Sequence, residues 1–362
     1  MTTMGASPAS SRPVRNGATG QTRLLHVPAD EVVAPLDMDL PVTLGTYDDA
    51  IAVPLTTRPG KPRIFGAVYD RDGQLVPESE RPKRNRSWRT NPGRLRGRRS
   101  DLPLRVPGRT FYAGHFRPAF GHVLVETLPR FWPDLDYGSF DQFALYPTRV
   151  GPTRSAPNLP RYAVDLLHAL GVWTDRSLLV STQALQFDQL VVATPAFWLR
   201  RGSNPVCAEP FRRIGDAVDD GPQHDRLPTA SRRIYLSRAR LRPPQRRALN
   251  EGGIEDLMRR AGFAVIYPEE HSVQTQIRLI RRADAIAGCD GSALHLGAFA
   301  RPGTTLLAID SRTVLNQLII DGLSALDAVH VYAANRAIVG RTGDWEADLG
   351  RVREAMVAAG LD

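Results

Sequence analysis

A histidine and a glutamate four residues apart, His122 and Glu126 in the run GHVLVETLPRFW (Gly121–Trp132), have the types and spacing for proton transfer. On a helix that spacing puts both side chains on one face. A carboxylate there can take a proton from a substrate hydroxyl. Val123, Leu124 and Leu128 would bury the other face. The plain structural alternative is a His–Glu pair on a helix surface. His115 is a further candidate base, although a lone histidine before Phe116 also suits a structural position.

A second group of residues suits an anion. Within ADAIAGCDGSALHLGAFARPGTTLLAID (Ala283–Asp310) the pattern predicts a strand at Ala285–Ala287 and a tight turn at Gly288–Gly291. A helix at Ser292–Ala300, a Pro-Gly break and a strand at Thr304–Ile309 follow. A helix that opens after such a turn points free N–H groups above the strand end. Ligands of open α/β sheets sit at the carboxyl ends of the strands. Gly291, Ser292, Ala293 and Leu294 would therefore border a diphosphate. Arg238, directly after strand Ile234–Leu236, and Arg247 would meet it with planar forks that donate two parallel hydrogen bonds. Arg246 and Arg247 lie in the polar loop RPPQRR, where arginine is also unremarkable. Asn250 is placed to cap helix Glu251–Ala261, and Asp290 to cap helix Ser292–Ala300. Glu269, after strand Ala264–Tyr267, could accept from a ribose or sugar hydroxyl, or simply face solvent. Gln276 on the next helix is a weaker candidate.

The elements that must position these groups alternate. In the second half, strands at Ile234–Leu236, Ala264–Tyr267, Ala285–Ala287, Thr304–Ile309 and Ala328–Tyr332 are separated or followed by helices at Glu251–Ala261, Val273–Arg282, Ser292–Ala300, Val314–Asp321 and Trp345–Ala359. Such βαβ repetition predicts a doubly wound parallel sheet. The first half alternates less regularly. Asp72–Gly73 between apolar runs signals a hairpin, Thr110–Ala113 a strand, Leu159–Leu170 a helix. Residues 1–23, rich in Ser, Ala, Gly, Thr and Arg, read as a disordered tail without the apolar core of a signal peptide. The expected division is an α/β domain over 24–220, a linker around Asp219–Pro228, a Rossmann-like domain over 229–340, and a C-terminal helix in 341–362 that crosses back to the first domain.

The chain has 362 residues, enough for two domains, and an ordinary apolar content. No apolar run is long enough to span a membrane. Cys207 and Cys289 have no second Cys or His at ligand spacing, which argues against a zinc site or a disulfide framework and for a reduced, cytoplasmic setting. The segment Arg81–Arg109 holds eleven arginines and lysines against Asp101 alone, and so accounts for the whole net charge of +9. It is a solvated loop, or it holds an anionic acceptor or an anionic membrane surface at the inner face. Trp88 alone is available there for base stacking, so nucleic acid is not favoured. Asp-x-Asp pairs occur at Asp37–Asp39, Asp70–Asp72 and Asp134–Asp136. Three unrelated matches point to chance, and neither a metal nor another cofactor is expected.

Four blocks in order resemble glycosyltransferase family 61, the group that includes bacterial capsular-polysaccharide biosynthesis proteins. They are GHVLVETLPRFW; Tyr235–Arg238 with Arg246, Arg247, Asn250 and Glu251; Gly262–Phe263, Pro268–Glu269, Ser272 and Gln276; and Gly288–Leu294, Phe299 and Pro302–Thr304. The resemblance spans roughly Phe111–Asp310. It implies two Rossmann-like domains facing a cleft, the GT-B arrangement, and inverting transfer of a sugar from a nucleotide-sugar donor to a glycan or glycolipid acceptor. It also implies that Glu126, with His122, supplies the base, and that Asn250 lies near the donor. Two positions depart from the family pattern. Asp290 stands where the family usually has His, and Leu296 where it usually has Asn. A carboxylate at 290 would repel a pyrophosphate. Either arginines and N–H groups hold the phosphate, or Asp290 meets a ribose or sugar hydroxyl, or the chain is an inactive nucleotide-sugar or glycan binder. An anionic-polymer-binding protein acting through the basic loop is the further alternative.

Overall fold

The computed structural model describes residues 12–15, 21–28, 35–56, 64–80, 91–95, 104–147, 159–175, 177–221, 227–241, 247–312, 314–335 and 343–362. They divide into two compact units, Asp37–Gly221 and a unit built from Met1–Leu36 with Pro222–Asp362.

The first two strands, β1 (Arg12–Arg15) and β2 (Gln21–Leu25), fall where a tail was expected. They are instead the edge of the C-terminal sheet, so the boundary between units lies near residue 37 rather than 24. The reason is visible in Gln21–Leu25. Its Leu24 and Leu25 are buried, and the strand pairs in parallel with Ala328–Val331.

The unit Asp37–Gly221 holds a six-stranded sheet. Its strands are β3 (Leu44–Thr56), β4 (Ile64–Tyr69), β5 (Leu104–Phe116), β6 (Gln142–Pro147), β7 (Leu178–Val180) and β8 (Leu185–Ala193). The order is β4-β3-β8-β5-β6-β7. Strands β8, β5, β6 and β7 run parallel, while β3 is antiparallel to both β4 and β8. This sheet is mixed, in the half where the family resemblance implied a Rossmann-like domain. A short ribbon of β9 (Phe197–Trp198) and β10 (Gly202–Ser203) follows. Helix α1 (Phe120–His122) opens the GHVLVET segment, and α2 (Arg161–Ala169) and α3 (Ala208–Asp220) complete the unit. The Asp72–Gly73 turn forms as expected. Gly73 has φ +75°, and Asp70 accepts from the N–H groups of Asp72 and Gln74.

Strand β5 runs further than Thr110–Ala113 and takes in the end of the basic segment. Arg105 pairs there with Asp49 at 2.8 Å and Asp188 at 2.5 Å, and Arg109 lies 4.3 Å over the Phe140 ring. Residues 81–90 and 96–103 lie outside the described residues.

The C-terminal unit is the cleaner α/β structure. Its strands are β1 and β2 with β11 (Arg233–Leu236), β12 (Ala264–Ile266), β13 (Ala285–Cys289), β14 (Thr305–Asp310) and β15 (Asp327–Tyr332), in the order β1-β2-β15-β14-β13-β11-β12. Every pair from β2 to β12 is parallel, and only β1 is antiparallel. The continuous apolar run of β14 is what a strand covered on both faces requires. Leu306, Leu307, Ala308 and Ile309 are fully buried.

Helices α4 (Glu251–Arg260), α5 (Val273–Arg282), α6 (Leu315–Leu323) and α7 (Leu349–Ala358) connect or follow these strands. Ser272 caps α5 by accepting from the Thr275 N–H, and Asp348 caps α7 through the Gly350 and Arg351 N–H groups. That cap explains why α7 starts at Leu349 and not at Trp345. Trp345 is 1% exposed and belongs to the core. Helix α7 packs on its own unit's sheet: Val352, Ala355 and Met356 join Ile254 and Met258 of α4 against Tyr235, Leu307 and Val329. Burying each such large side chain contributes about 1.5–3 kcal/mol, so the core of this unit retains the helix that was expected to cross back. Among the described residues no helix is long and apolar enough to cross a membrane.

Candidate functional site

The chain leaves β11 for β12 on one side and then crosses to β13 on the other, so the strand order reverses between β11 and β13. In open α/β sheets that reversal opens a crevice at the carboxyl ends of the two strands. Here those ends are Leu236–Arg238 and Cys289–Gly291, held in register by the pairing of Leu236 with Gly288.

Arg238 is 8% exposed, and its guanidinium lies against Gly291. A Cβ built on Gly291 would come within 2.0 Å of Nη1 and 2.7 Å of Cζ. The Arg238 backbone N–H donates to Glu251 Oε1 at 2.7 Å, and the Tyr235 hydroxyl donates to the same oxygen at 3.0 Å. Glu251 Oε2 is buried without a hydrogen-bond partner. Burial raises the Glu251 carboxyl above its ordinary range, against the lowering pull of those two donors and of the Arg238 charge. Tyr235 also contacts Cys289 Sγ at 3.5 Å, and burial pushes both the phenol and the thiol well up. Cys289 therefore stays a thiol at neutral pH and is no nucleophile.

The turn after β13 differs from the expected helix. Ser292 and Ala293 are half-buried turn residues, and a 3-10 helix spans Leu294–Phe299. Leu294 and Leu296 are core residues at 1% and 0% exposure. Asp290 is not a cap. Its Oδ2 accepts from the Ser311 hydroxyl at 2.7 Å, and it is 2% exposed. Behind it runs a buried chain of polar groups. His330 bonds Asp310 through Nδ1 at 2.6 Å and Asp321 through Nε2 at 2.7 Å. Gln317 donates to Asp321 at 2.9 Å and bonds His295 Nδ1 at 2.8 Å through its carbonyl oxygen. The residues flanking the Gly291–Leu294 turn, Asp290 and His295, thus each hydrogen-bond a side chain, Ser311 and Gln317. Asp310 and Asp321 raise the His330 imidazole to about 10 despite its burial, so it stays charged.

The other expected donor residues are less concentrated. Asn250 makes no capping bond. Its side chain instead donates to the Ala347 carbonyl and accepts from the Ala347 N–H, both at 2.8 Å, tying α4 to the segment before α7. Arg247 is half-buried and its backbone N–H donates to Asp344 at 3.2 Å. Arg246 lies outside the described residues. Glu269 is exposed in the 3-10 turn Pro268–Glu270 after β12. Gln276 holds that turn by donating to the Pro268 and His271 carbonyls at 2.7 and 2.9 Å. The structure brings Arg238 and Gly291 together, with Glu251 behind them. The sequence pattern gave Glu251 no separate role, yet this buried glutamate opening α4 is the group that holds the Arg238 backbone at the end of β11.

In the other unit, α1 passes directly into a π-helical turn at Val123–Thr127 and then a 3-10 turn at Leu128–Arg130. Pro129 lacks the N–H that would continue a helix. His122 Nδ1 and Glu126 Oε2 are hydrogen-bonded, with side chains 30% and 13% exposed. Val123, Leu124, Val125 and Leu128 are buried. The π turn fits a recurring association of such bulges with functional positions. Arg130 locks its end: the guanidinium, 2% exposed, donates to the carbonyls of Glu78, Ser79 and Ala193. His115 is buried at 5%, and its ring fills the space over Gly66, where a Cβ would lie 1.5 Å from Nε2. It is a core residue, not a base. Asp136 of the DLD run accepts from the Gly138 N–H and caps a short turn. Among the described residues no group of three His, Cys, Asp or Glu side chains is arranged to hold a metal ion.

The C-terminal unit is thus an α/β unit with a largely parallel sheet and with a buried arginine and a Gly-Ser turn where the strand order reverses. Residues 120–307 match the family Glycosyltransferase 61, and the chain belongs to that family of glycosyltransferases. No curated protein matches the chain.

Proposed function

We propose that the protein transfers a sugar from a nucleotide-sugar donor to a glycan or glycolipid acceptor, with inversion and without a metal, in the building of a cell-surface polysaccharide. The observation that carries this reading is the Arg238 guanidinium seated on Gly291 at the β11/β13 switch point. A planar cation beside a side-chain-free turn suits a diphosphate, which needs charge-assisted donors and close backbone approach.

The leaving diphosphate is stabilised by Arg238 and by N–H groups of the Gly291–Leu294 turn, which act in place of a metal. The turn is short, so the arginine takes more of that role than a long helix dipole would leave it. Asp290, engaged by Ser311, acts in holding the turn. Glu126 takes the proton of the acceptor hydroxyl, and His122 orients its carboxylate. Arg247, Asn250, Glu269 and Gln276 shape the rim of the donor site, with Glu269 exposed for a ribose hydroxyl. This assignment makes the chain a GT-B-type enzyme with a mixed first sheet. The setting is cytoplasmic, at the inner membrane face, where the basic segment around Arg81–Arg109 meets anionic lipid.

A thermal-shift screen with UDP, GDP, CDP, TDP, ADP and their common sugar conjugates, with and without EDTA, tests the reading. A ligand that binds only the folded chain raises its unfolding temperature. A shift with one nucleotide, unchanged by EDTA, supports it. No shift with any of them moves the weight to a binder without donor chemistry.

A further inference from the structure

We infer that Arg240 and Tyr267 form a stacking platform for the nucleobase of the donor; this rests on the donor-site reading above. Tyr267 directly follows β12, the neighbour of β11, so it stands at the same carboxyl edge as Arg238. Arg240 lies two residues beyond Arg238, in a turn closed by the Leu241 N–H donating to the Arg238 carbonyl at 3.0 Å. A ligand with its phosphates on Arg238 can extend its nucleoside along that edge.

The ring is held still. The Tyr267 hydroxyl donates to Glu255, with oxygens at 3.1 and 3.2 Å, and Glu255 is itself 6% exposed. Ser237 and Arg259 each donate to the same carboxylate at 2.7 Å. Three donors on one buried carboxylate fix the ring from behind. In front, the Arg240 guanidinium carbon lies 3.7 Å from the ring centroid. The Arg240 side chain is 55% exposed, and it pairs with the exposed Glu270 at 2.6 Å. A surface pair of that kind adds little stability. The arrangement instead presents a flat, backed guanidinium plane to solvent. Planar guanidinium groups and aromatic rings stack on bases with little regard to which base it is.

The test is calorimetric titration of UDP, GDP, CDP, TDP, ADP and inorganic pyrophosphate into the wild-type chain and three variants. Arg240→Lys keeps the charge and removes the plane. Tyr267→Leu removes the backing, and Tyr267→Phe keeps it. The wild type is expected to bind its preferred nucleoside diphosphate at least about tenfold tighter than pyrophosphate, the advantage one stacked base gives. Arg240→Lys and Tyr267→Leu each lose about that tenfold, keep their pyrophosphate affinity, and Tyr267→Phe retains most of the advantage. Full nucleotide affinity in Arg240→Lys would overturn the platform while leaving the donor site standing. A parallel loss of pyrophosphate binding would also overturn it, since the residues would then act on the phosphates or on the fold. A wild type that binds pyrophosphate but no nucleoside diphosphate more tightly would remove the donor reading and the platform together.

Discussion

The guanidinium of Arg238 occupies the space that a side chain at position 291 would need: a Cβ on Gly291 would sit 2.0 Å from its Nη1. Gly291 does not have positive φ, so the glycine is required by the arginine and not by the backbone. Gly291→Ala is therefore expected to keep the fold and displace the guanidinium. Nucleoside-diphosphate affinity should fall about tenfold or more, the scale of one charge-assisted hydrogen bond. Titration of the folded variant checks this, and unchanged affinity would mean the arginine does not act on the ligand.

Glu126 is the proposed base. Glu126→Gln should lower kcat about a hundredfold while donor KM stays within about twofold, because proton transfer is used only in the transition state. Steady-state kinetics against donor separates the two terms. An equal loss in donor binding would count against the role.

Arg130 holds the end of the same segment through three backbone carbonyls. Lysine cannot replace a planar fork with several donors. Arg130→Lys should lower stability by about 2–3 kcal/mol, the scale of a lost hydrogen bond to a charged donor with a carbonyl left buried. Urea unfolding measures it. Loss of activity with unchanged stability would place Arg130 in the chemistry instead.

His330 sets a pH dependence. Its two aspartates raise it from 6.5 to about 10. A group whose folded pKa lies above its unfolded value contributes fully below the unfolded value and loses that contribution as pH rises through the folded one. The His330 contribution is thus complete below about 6.5 and lost toward about 10. Buried Asp310, also raised, works in the same sense, lowering stability as pH rises above its ordinary carboxylate value. His330→Leu leaves two buried carboxylates without their cation, at a cost of about 3–5 kcal/mol. Thermal unfolding from pH 6 to 10 should show the variant well below the wild type at pH 6 and the gap narrowing toward pH 10. A constant gap would refute the assignment.

Much of the C-terminal unit was legible because buried parallel strands read as apolar runs and the helices between them carry clear periodicity. The strand Thr305–Asp310 and the helix Val273–Arg282 needed nothing else. The edge strand Gln21–Leu25 was not legible, because its partner is three hundred residues away and its flanks look like tail. The α7 packing was missed for a related reason: Val352, Ala355 and Met356 are as compatible with one core as with another. At the site, spacing placed His122 with Glu126 and strand position placed Arg238. Local pattern misled at Asp290 and Asn250. Both have cap-forming side chains where the pattern predicts a helix start, but long-range partners, Ser311 and Ala347, hold them. The π turn through Glu126 and the short 3-10 helix after Ala293 are settled by packing around Leu124, Leu294 and Leu296, which no periodicity reports.

The most direct measurement compares the wild type with Arg238→Ala for binding of nucleoside diphosphates in the presence of EDTA. The account predicts a nucleotide that binds the wild type without metal and binds the variant at least about tenfold more weakly, since a charge-assisted contact to phosphate is lost. Equal binding by both chains, or wild-type binding abolished by EDTA, would contradict it.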